Sequence, residues 1–401
     1  MYRKRSTNQG KRAHKKNSTT DSPVESVVDI PKKKTSDIRD SFDAVIKRVK
    51  QYWAAASKRK RFATVAVASA VLIMSSVGLG LLFQNVPTGS PASVVTEPVE
   101  RQATPEPETA TSKLTGMEVE PHLAELPVTA VILENSPEAR PQTGLDEAGV
   151  VFEAMVEGSI TRFTALYQEA QPEEIGPIRS LRRNHIDWLH GFDAAVAHVG
   201  GSPLALSRVR SQNIKDLDQF QNPEAYWRSS ARFAPHNMYS SREALLELHE
   251  KRGYMSADFT SIARKSPEPA ESPSVTEAEV RISSPLYNVR FEYDKEHNRY
   301  KRFMGGTPHV DERTNRHISP DVVVVMVASH SRDGIYSVYE SIGNGTAYIF
   351  QDGELTKGTW EKRSRSENIR FGDENGSPIG LNPGQTWITL ATSENQIITK
   401  P

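Results

Sequence analysis

An uncharged run of 22 residues divides the chain into two parts of opposite charge. The run extends from Phe62 to Phe83 and reads FATVAVASAVLIMSSVGLGLLF. Residues 1–61 contain 18 Lys and Arg against 6 Asp and Glu, which leaves a local charge of +12. Residues 84–401 contain 32 against 44, which leaves −12. The formal net charge of zero therefore hides a strongly basic segment and an acidic one.

The length of this run predicts a transmembrane helix over 62–83. Such a helix is about 33 Å long and spans a hydrocarbon core of about 30 Å. The basic stretch KRKR at 58–61 precedes it, so the positive-inside rule places residues 1–61 in the cytoplasm and the rest outside. Two alternatives fit less well. A cleaved signal peptide has a shorter basic region and a shorter apolar core than this chain has, and a core helix of a globular domain usually keeps a polar face, which this run lacks. We therefore expect a single-pass protein of the cell membrane, largely extracytoplasmic.

The basic segment has two regions. Residues 1–34 are rich in Lys, Arg, Ser and Thr, a composition that predicts disorder. Residues 36–57 carry apolar side chains at spacings of three and four, which predicts an amphipathic helix with a basic face. Next to a membrane, such a helix is expected to lie on anionic lipid. Nucleic acid is the less favoured partner, although a basic tail attracts any polyanion.

Two segments rich in Pro, Ser, Thr and Glu divide the extracytoplasmic part. They occupy 84–126 and 265–280 and read as linkers. The first would hold the folded part away from the bilayer. Together they delimit one domain at 127–264 and leave another at 281–401.

The first of these domains has the pattern of an α/β fold, and the second that of a β-rich antiparallel domain. In the first, apolar runs predict strands and 3.6-residue periodicity predicts helices. The strands are 128–134, 150–157, 162–169 and 194–201, and the helices are 180–192, 202–212 and 241–253. In the second, runs rich in Val, Ile, Tyr and Thr alternate with Gly, Asn and Asp turns. These strands are 289–294, 321–329, 335–342, 346–351 and 385–391.

Several strings of unusual composition follow one another in both domains. In the first they are ENSPEARPQTGL (134–145), VFEAMVEGSITRF (151–163), IGPIRSLR (175–182), AHVGGSP (197–203) and FAPHNMY (233–239). In the second they are GGTPHVDERTNRHISPDVVVV (305–325), GNGTAYIFQDGELTKGTWEK (343–362) and LNPGQTW (381–387). This set resembles the YerB-like family of bacterial envelope proteins, known as domain of unknown function 3048.

The resemblance covers about 127–264 and 285–395. It implies an α/β N-terminal domain, a separate β-rich C-terminal domain and export, often as a lipoprotein. It implies no particular biochemical activity. This chain departs from the lipoprotein pattern because it contains no Cys. We therefore expect the transmembrane helix to replace the lipid anchor.

The first domain concentrates arginines and carboxylates near predicted turns and strand ends. A guanidinium binds a carboxylate or phosphate through two parallel hydrogen bonds. If 150–157 is a strand, Glu153 and Glu157 share one face. The candidate ligand-binding residues are Glu134, Asn135, Arg140, Glu153, Glu157, Arg162, Arg179, Arg182, His198, His236 and Asn237, and Arg183 adjoins them.

Two interpretations of this cluster stay open. It is either a structural Arg–Glu network or a pocket for an anionic ligand, such as a muropeptide carboxylate or a wall-polymer phosphate. Gly176 and Gly200 allow a close approach of backbone to a ligand, but glycines also simply form turns.

The evidence for catalysis is weaker. Glu134, Glu153 and Glu157 qualify by type as the paired carboxylates of a glycosidase. His198 and His236 are candidate bases, although a His at a strand end is more often structural. No nucleophile elbow, HExxH or phosphate-loop pattern is present.

A metal site is not expected either. His309, Asp311 and His317 match no strong metal-ligand spacing, and Asp311 with Asn315 more simply forms a turn. We therefore expect neither metal nor cofactor.

The sequence favours a non-catalytic cell-envelope protein. Its expected role is to bind peptidoglycan, another anionic wall polymer or a membrane protein, and to act as a scaffold. The alternative is a cell-wall-active hydrolase or transferase that uses the Glu/Arg/His cluster.

Overall fold

The structure is a computed structural model, and it describes residues 108–401. The predicted basic arm at 1–61, the transmembrane helix at 62–83 and most of the linker at 84–126 lie outside these residues. Within 108–401, no helix has the length and apolar composition needed to cross a membrane.

The described part is rich in β-strands and contains four α-helices. The strands are β1 (Ala110–Thr111), β2 (Glu118–Val119), β3 (Thr129–Glu134), β4 (Val150–Glu157), β5 (Ile160–Tyr167), β6 (Ala195–His198), β7 (Asp216–Asp218), β8 (Trp227–Arg228), β9 (Met238–Tyr239), β10 (Glu277–Val280), β11 (Val289–Asp294), β12 (Arg299–Met304), β13 (Thr307–Pro308), β14 (Val322–Val327), β15 (His330–Asp333), β16 (Tyr336–Tyr339), β17 (Gly343–Gln351), β18 (Glu354–Lys362), β19 (Arg370–Gly372), β20 (Thr386–Ala391) and β21 (Ile397–Lys400). The helices are α1 (Pro121–Ala124), α2 (Arg183–Leu189), α3 (Pro203–Ser211) and α4 (Arg242–Arg252).

A 12-stranded mixed sheet organises this part of the chain. Ten of its strands follow one another in the order β19-β18-β17-β14-β20-β4-β5-β3-β6-β7. The hairpin β15–β16 joins it where Tyr336 pairs with Glu157 of β4. A five-stranded sheet has the order β13-β12-β11-β10-β21, and all its pairs are antiparallel.

The purely antiparallel arrangement predicted for the second domain is wrong for two strands. β14 runs parallel to β20, and β20 runs parallel to β4. Both β14 (VVVVMV) and β20 (TWITLA) are buried along almost their whole length. Continuous burial on both faces is typical of parallel strands. β4 lies in the first predicted domain and β20 in the second, so the two predicted domains share one sheet.

Each face of the large sheet carries its own hydrophobic core. On one face, side chains such as Phe152 pack against α2, where Phe152 and Trp188 stack with ring centroids 5.5 Å apart. On the other face, side chains such as Val151 and Trp387 pack against the five-stranded sheet, and the rings of Trp387 and Phe291 are 6.5 Å apart. Alternation along each strand distributes neighbouring residues between the two cores.

Both predicted linkers contain regular structure at their C-terminal ends. Residues 110–124 form β1, β2 and α1, and Leu114 is buried in the first core. Residues 277–280 form β10, which lies between β11 and β21. Its polar sequence, EAEV, buries only alternate residues, so it resembles a linker in composition while it pairs on both edges.

Two of the helices begin at a serine cap. Ser202 accepts a hydrogen bond from the Ala205 amide at the start of α3, and Ser241 does the same for Ala244 at the start of α4. α4 ends at Gly253, which has a φ of +71°.

Candidate functional site

Parallel strands bring charged residues together at one edge of the large sheet. β3, β6 and β7 are parallel neighbours, so their carboxyl ends lie at the same edge. These strands end with Glu134, His198 and Asp218. In open α/β sheets, ligands commonly bind outside the carboxyl ends of the strands. This edge is therefore the first place where a site is expected.

Glu134 is a buried carboxylate under polar groups that reach solvent. It is 3% exposed, and its Oε1 accepts hydrogen bonds of 3.1 Å from both Arg179 Nε and Ser136 Oγ. His236 Nδ1 lies 3.1 Å from Oε2 but is not aligned for a hydrogen bond, and Oε2 has no hydrogen-bond partner within 108–401. The side chains of Arg179 and His236 are 27% and 24% exposed. One oxygen of Glu134 is therefore buried without a hydrogen-bond donor, beneath two partly exposed side chains.

Two further arginines neutralise Glu157 beside this carboxylate. Glu157 accepts hydrogen bonds from Arg162 Nη2 at 3.0 Å and from Arg182 Nε and Nη2 at 2.8 and 2.6 Å. Burial raises the pKa of Glu157, but the bonds and charges of the two arginines outweigh it and hold that pKa below its usual value. Burial lowers the pKa of Arg162 to about 10. The guanidinium of Arg182 also lies 5.1 Å from the ring centroid of Tyr336.

A register shift in β4 separates Glu153 from Glu157. Met155 pairs with Thr161, whereas Glu157 pairs with Ile160, so β4 contains an extra residue between these pairs. The bulge turns Glu157 towards Arg162, and Glu153 remains on the opposite face. The expectation that Glu153 and Glu157 share a face is therefore wrong, because it assumed uninterrupted alternation.

Glu153 lies in the contact between the 12-stranded sheet and the five-stranded sheet. Both Glu153 and Arg302 have side chains that are 0% exposed, and Arg302 Nη2 donates to Glu153 Oε2 at 2.7 Å. The same oxygen accepts from Trp387 Nε1 at 3.1 Å, and Oε1 accepts from Thr161 Oγ1 at 3.3 Å. No substrate can approach this carboxylate without opening the core.

Hydrogen bonds lead from Arg302 through four further side chains back to Glu153, so that the six side chains form a closed ring. Arg302 Nη1 donates to His309 Nδ1, and His309 Nε2 donates to Gln142 Oε1 at 2.7 Å. Arginine has no acceptor, so His309 must be the tautomer with its hydrogen on Nε2. Gln142 donates to Asn135 Oδ1 at 3.0 Å, and Asn135 donates to Thr161 Oγ1 at 2.6 Å, which leads back to the buried carboxylate. Burial, followed by the charge of Arg302, holds the pKa of His309 well below its usual value.

Arg140 also connects the two predicted domains. Its Nε donates to Asn135 Oδ1 at 3.1 Å, and its Nη1 donates to the carbonyl of Leu286 at 2.9 Å. Its guanidinium lies 4.8 Å from the ring centroid of Tyr287. Arg140 and Asn135 are therefore structural groups at an internal contact.

His198 and Asn237 support neighbouring loops. His198 is fully buried, with Nδ1 2.8 Å from the Gly200 carbonyl and Nε2 3.0 Å from Asp216 Oδ1. Asn237 donates to the carbonyls of Ser229 and Arg232 at 2.9 and 3.1 Å. Neither side chain is placed to act as a base on an external substrate.

The eleven candidates therefore form three groups. We call the first the strand-end site: it consists of Glu134, Glu157, Arg162, Arg179, Arg182 and His236, together with Ser136. Asn135, Arg140 and Glu153 belong to the contact between sheets, and His198 and Asn237 support loops. The sequence did not single out Ser136, Arg302, Gln142 or Trp387. Ser136, Gln142 and Trp387 do lie within the strings that carry the family resemblance.

His309, Asp311 and His317 do not converge on a metal position. Asp311 Oδ1 accepts from the amides of Arg313 and Thr314 at 3.0 and 3.2 Å, so it organises a turn. In the part of the chain that the structure describes, no three His, Asp or Glu side chains form a group that could hold a metal ion.

Comparison with known families assigns both regions of this strand-rich fold. The family model "Protein of unknown function (DUF3048) N-terminal domain" matches residues 114–255, and the corresponding C-terminal domain matches residues 278–388. The chain belongs to this family, which confirms the YerB-like resemblance.

Two comparisons with individual proteins agree with this assignment. The chain is 31% identical over 289 residues to a protein of Bacillus subtilis (strain 168) named "Putative lipoprotein YerB", a match that covers 69% of this chain and 85% of that protein. The crystal structure of YerB from Bacillus subtilis superposes with a TM-score of 0.66 at 27% identity, over 73% of this chain and all of that one. Neither name states an activity.

Proposed function

We propose that the protein is a non-catalytic binding or scaffold protein of the cell envelope, which recognises an anionic group at the strand-end site. The observation that carries this proposal is that Arg179 has unused hydrogen-bond donors. It donates only its Nε, to Glu134, and within 108–401 its two terminal nitrogens form no hydrogen bond. These are the atoms through which a guanidinium holds a carboxylate or phosphate.

The charges around Arg179 support an anionic ligand. The strand-end site contains three arginines and two glutamates, so one positive charge is left over before His236 is considered. Glu157 accepts three hydrogen bonds from Arg162 and Arg182, but it balances only one of their two positive charges. Glu134 balances the charge of Arg179, so the surplus positive charge lies beside it, at Arg162 and Arg182, and Arg179 adds free N–H donors on a partly exposed side chain.

The free oxygen of Glu134 narrows the ligand class. A bare phosphate at Arg179 would be repelled by Glu134 Oε2, which lacks a hydrogen-bond donor within the described residues. A peptide brings both a carboxylate for Arg179 and an N–H group for Glu134. The site therefore favours the peptide part of peptidoglycan over a polymer that offers phosphate alone.

The arrangement of the three glutamates disfavours the hydrolase alternative. A glycosidase needs two carboxyl groups that flank one bond and reach the substrate. Glu153 is fully buried and paired with Arg302, and Glu157 is held by two arginines. Glu134 would be left without a catalytic partner of its own kind.

Binding to purified peptidoglycan tests the proposal. The described residues belong to one compact unit, and the match to the solved YerB chain covers 73% of this chain and all of that one, so a fragment of residues 103–401 is suitable. We expect it to sediment with peptidoglycan stripped of wall polymers, and Arg179→Gln to bind about tenfold more weakly. Arg210→Gln changes an exposed arginine outside the site and serves as the matched control.

Three results would count against the proposal. Equal sedimentation of Arg179→Gln and the parent would exclude the strand-end site as the place of binding. If the parent fragment does not sediment, peptidoglycan is excluded as its ligand. Release of soluble muropeptides that is lost in Glu134→Gln would favour the hydrolase.

We also propose that the chain is held at the cell membrane by a single helix at 62–83, with 1–61 in the cytoplasm. The support is the uncharged run, the KRKR stretch before it and the name of the YerB relative, which describes a lipoprotein. Deletion of 1–34 should preserve membrane insertion, as measured by membrane fractionation and by protease access to the C-terminal part in spheroplasts. Loss of insertion in this variant would contradict the topology.

A further inference from the structure

A cleft of about 460 Å³, apart from the strand-end site, lies between the two family regions. From the first region it is lined by Arg183, His190 and Gln212, and from the second by Ser341 and Arg365. None of these residues belongs to the strand-end site. The adjacent residue Arg182 does belong to it, so two consecutive arginines serve two different places.

The lining of this cleft contains several buried polar atoms without partners. Within 108–401, Arg183 Nε, His190 Nδ1, Gln212 Oε1 and Ser341 Oγ are buried and form no hydrogen bond. Ser341 is only 1% exposed. Native proteins pair nearly all their buried polar groups, so the convergence of four unpaired ones from separate segments points to a bound ligand.

The charges of the cleft favour an anion. Arg183 forms no ion pair within 4.0 Å and no side-chain hydrogen bond with any residue of 108–401. The one buried carboxylate of the lining, Asp187, is already matched, because Arg365 Nε lies 2.6 Å and Arg208 Nη1 lies 3.3 Å from its Oδ1. The other carboxylate of the lining, Glu340, is exposed and forms no ion pair within the described residues. Arg183 is therefore the unpaired charge in the buried part of the cleft.

We infer that this cleft binds a small ligand that combines one carboxylate or phosphate with hydroxyl groups, as in an acidic sugar or a polyol phosphate. Arg183 holds the anionic group, and Ser341 and Gln212 hydrogen-bond the hydroxyl groups. A volume of about 460 Å³ accommodates a ligand the size of one sugar. The inference is independent of the strand-end site, since it uses none of the same side chains.

Calorimetric titration of residues 103–401 tests the inference with three probes. N-acetylmuramic acid offers a carboxylate, glycerol 3-phosphate offers a phosphate, and N-acetylglucosamine is the neutral control. We expect at least one anionic probe to bind and the neutral sugar to bind at least tenfold more weakly. The anionic probe that binds distinguishes the wall sugar from the polyol phosphate as the source of the ligand.

Variants connect the binding to the cleft. Arg183→Gln should weaken the anionic probe about tenfold, Arg183→Lys less than that, and Ser341→Ala about threefold. Arg179→Gln and Arg210→Gln should leave it unchanged. Thermal unfolding of each variant shows whether it is folded, and Arg183→Lys preserves the charge if Arg183→Gln is unstable.

The inference is overturned by any of three results. The first is the absence of binding by both anionic probes at about 10 mM, a concentration that would detect even weak ligands. The second is equal binding by Arg183→Gln and the parent. The third is binding lost in Arg179→Gln but retained in Arg183→Gln, which would assign the ligand to the strand-end site.

Discussion

Glu153 of β4 and Arg302 of β12 form an ion pair that is completely removed from solvent. Arg302 Nη2 lies 2.7 Å from Glu153 Oε2, and both side chains are 0% exposed. The guanidinium also lies 4.3 Å from the ring centroid of Trp387. The pair joins the large sheet to the five-stranded sheet, and thereby the first family region to the second.

We expect Arg302→Met to lower the free energy of unfolding by about 3–5 kcal/mol, because it leaves the carboxylate of Glu153 buried and unpaired. Urea denaturation of residues 103–401 measures the change. The double variant Glu153→Gln, Arg302→Met should recover part of the loss, since no isolated charge remains. Arg299→Gln, on the same strand, breaks an exposed pair with Asp321 and should cost less than about 1 kcal/mol. A similar cost for Arg299→Gln and Arg302→Met would contradict this account.

The buried imidazole of His249 makes stability depend on pH. Its Nδ1 donates to the Tyr254 carbonyl at 2.8 Å, and its Nε2 accepts from Thr129 Oγ1 at 2.7 Å. Burial lowers its pKa to about 4, with a backbone hydrogen bond opposing and the nearby charges of Arg242 and Lys215 adding to the decrease. The folded protein therefore keeps this ring neutral where the unfolded chain, with a pKa of about 6.5, binds a proton.

Since the unfolded state binds more protons, the contribution of His249 is fully present above pH 6.5 and is lost as the pH falls towards about 4. The loss reaches at most about 1.4 kcal/mol per pH unit. We expect His249→Gln to reduce the difference in unfolding free energy between pH 6.5 and pH 5, measured by urea denaturation at each pH. His122→Gln changes an exposed histidine and should leave the difference as it is in the parent. An unaltered pH dependence in His249→Gln would refute the assignment.

Glu157→Gln should lower the free energy of unfolding by about 2 kcal/mol, because the buried Arg162 loses its counter-charge. Chemical denaturation measures this loss. Addition of Arg162→Met should restore part of the stability, whereas Glu138→Gln, at an exposed glutamate, should have little effect. If Glu157→Gln is as stable as the parent, the arginines do not depend on this carboxylate.

Gly176→Ala should destabilise the protein by about 1–3 kcal/mol through overpacking. A Cβ atom at this position would lie 2.4 Å from Tyr239 Cδ1, and the ring of Tyr239 is buried. Gly372→Ala is the matched control, because its Cβ would have no neighbour closer than 3.4 Å and its φ is not positive. Thermal unfolding compares the two, and equal melting temperatures would show that the Tyr239 ring moves aside. This contact gives Gly176 a packing role that requires no ligand.

Local features of the fold follow directly from the sequence. The apolar run at 128–134 predicts β3, and the helical periodicity at 241–253 predicts α4, because both patterns depend on residues a few positions apart. The clustering of Arg and Glu near predicted strand ends likewise placed Glu134 and Arg179 in one candidate cluster, and their side chains do form a hydrogen bond.

Only the tertiary structure decided which of these side chains meet. The partner of Glu153 is 149 residues away in the chain, and a bulge of one residue directs Glu157 to the opposite face. β20 enters the sheet between β14 and β4 and so merges two regions that composition separates. Spacing along a sequence carries no information about such pairings, because they arise when distant strands bury their apolar faces together.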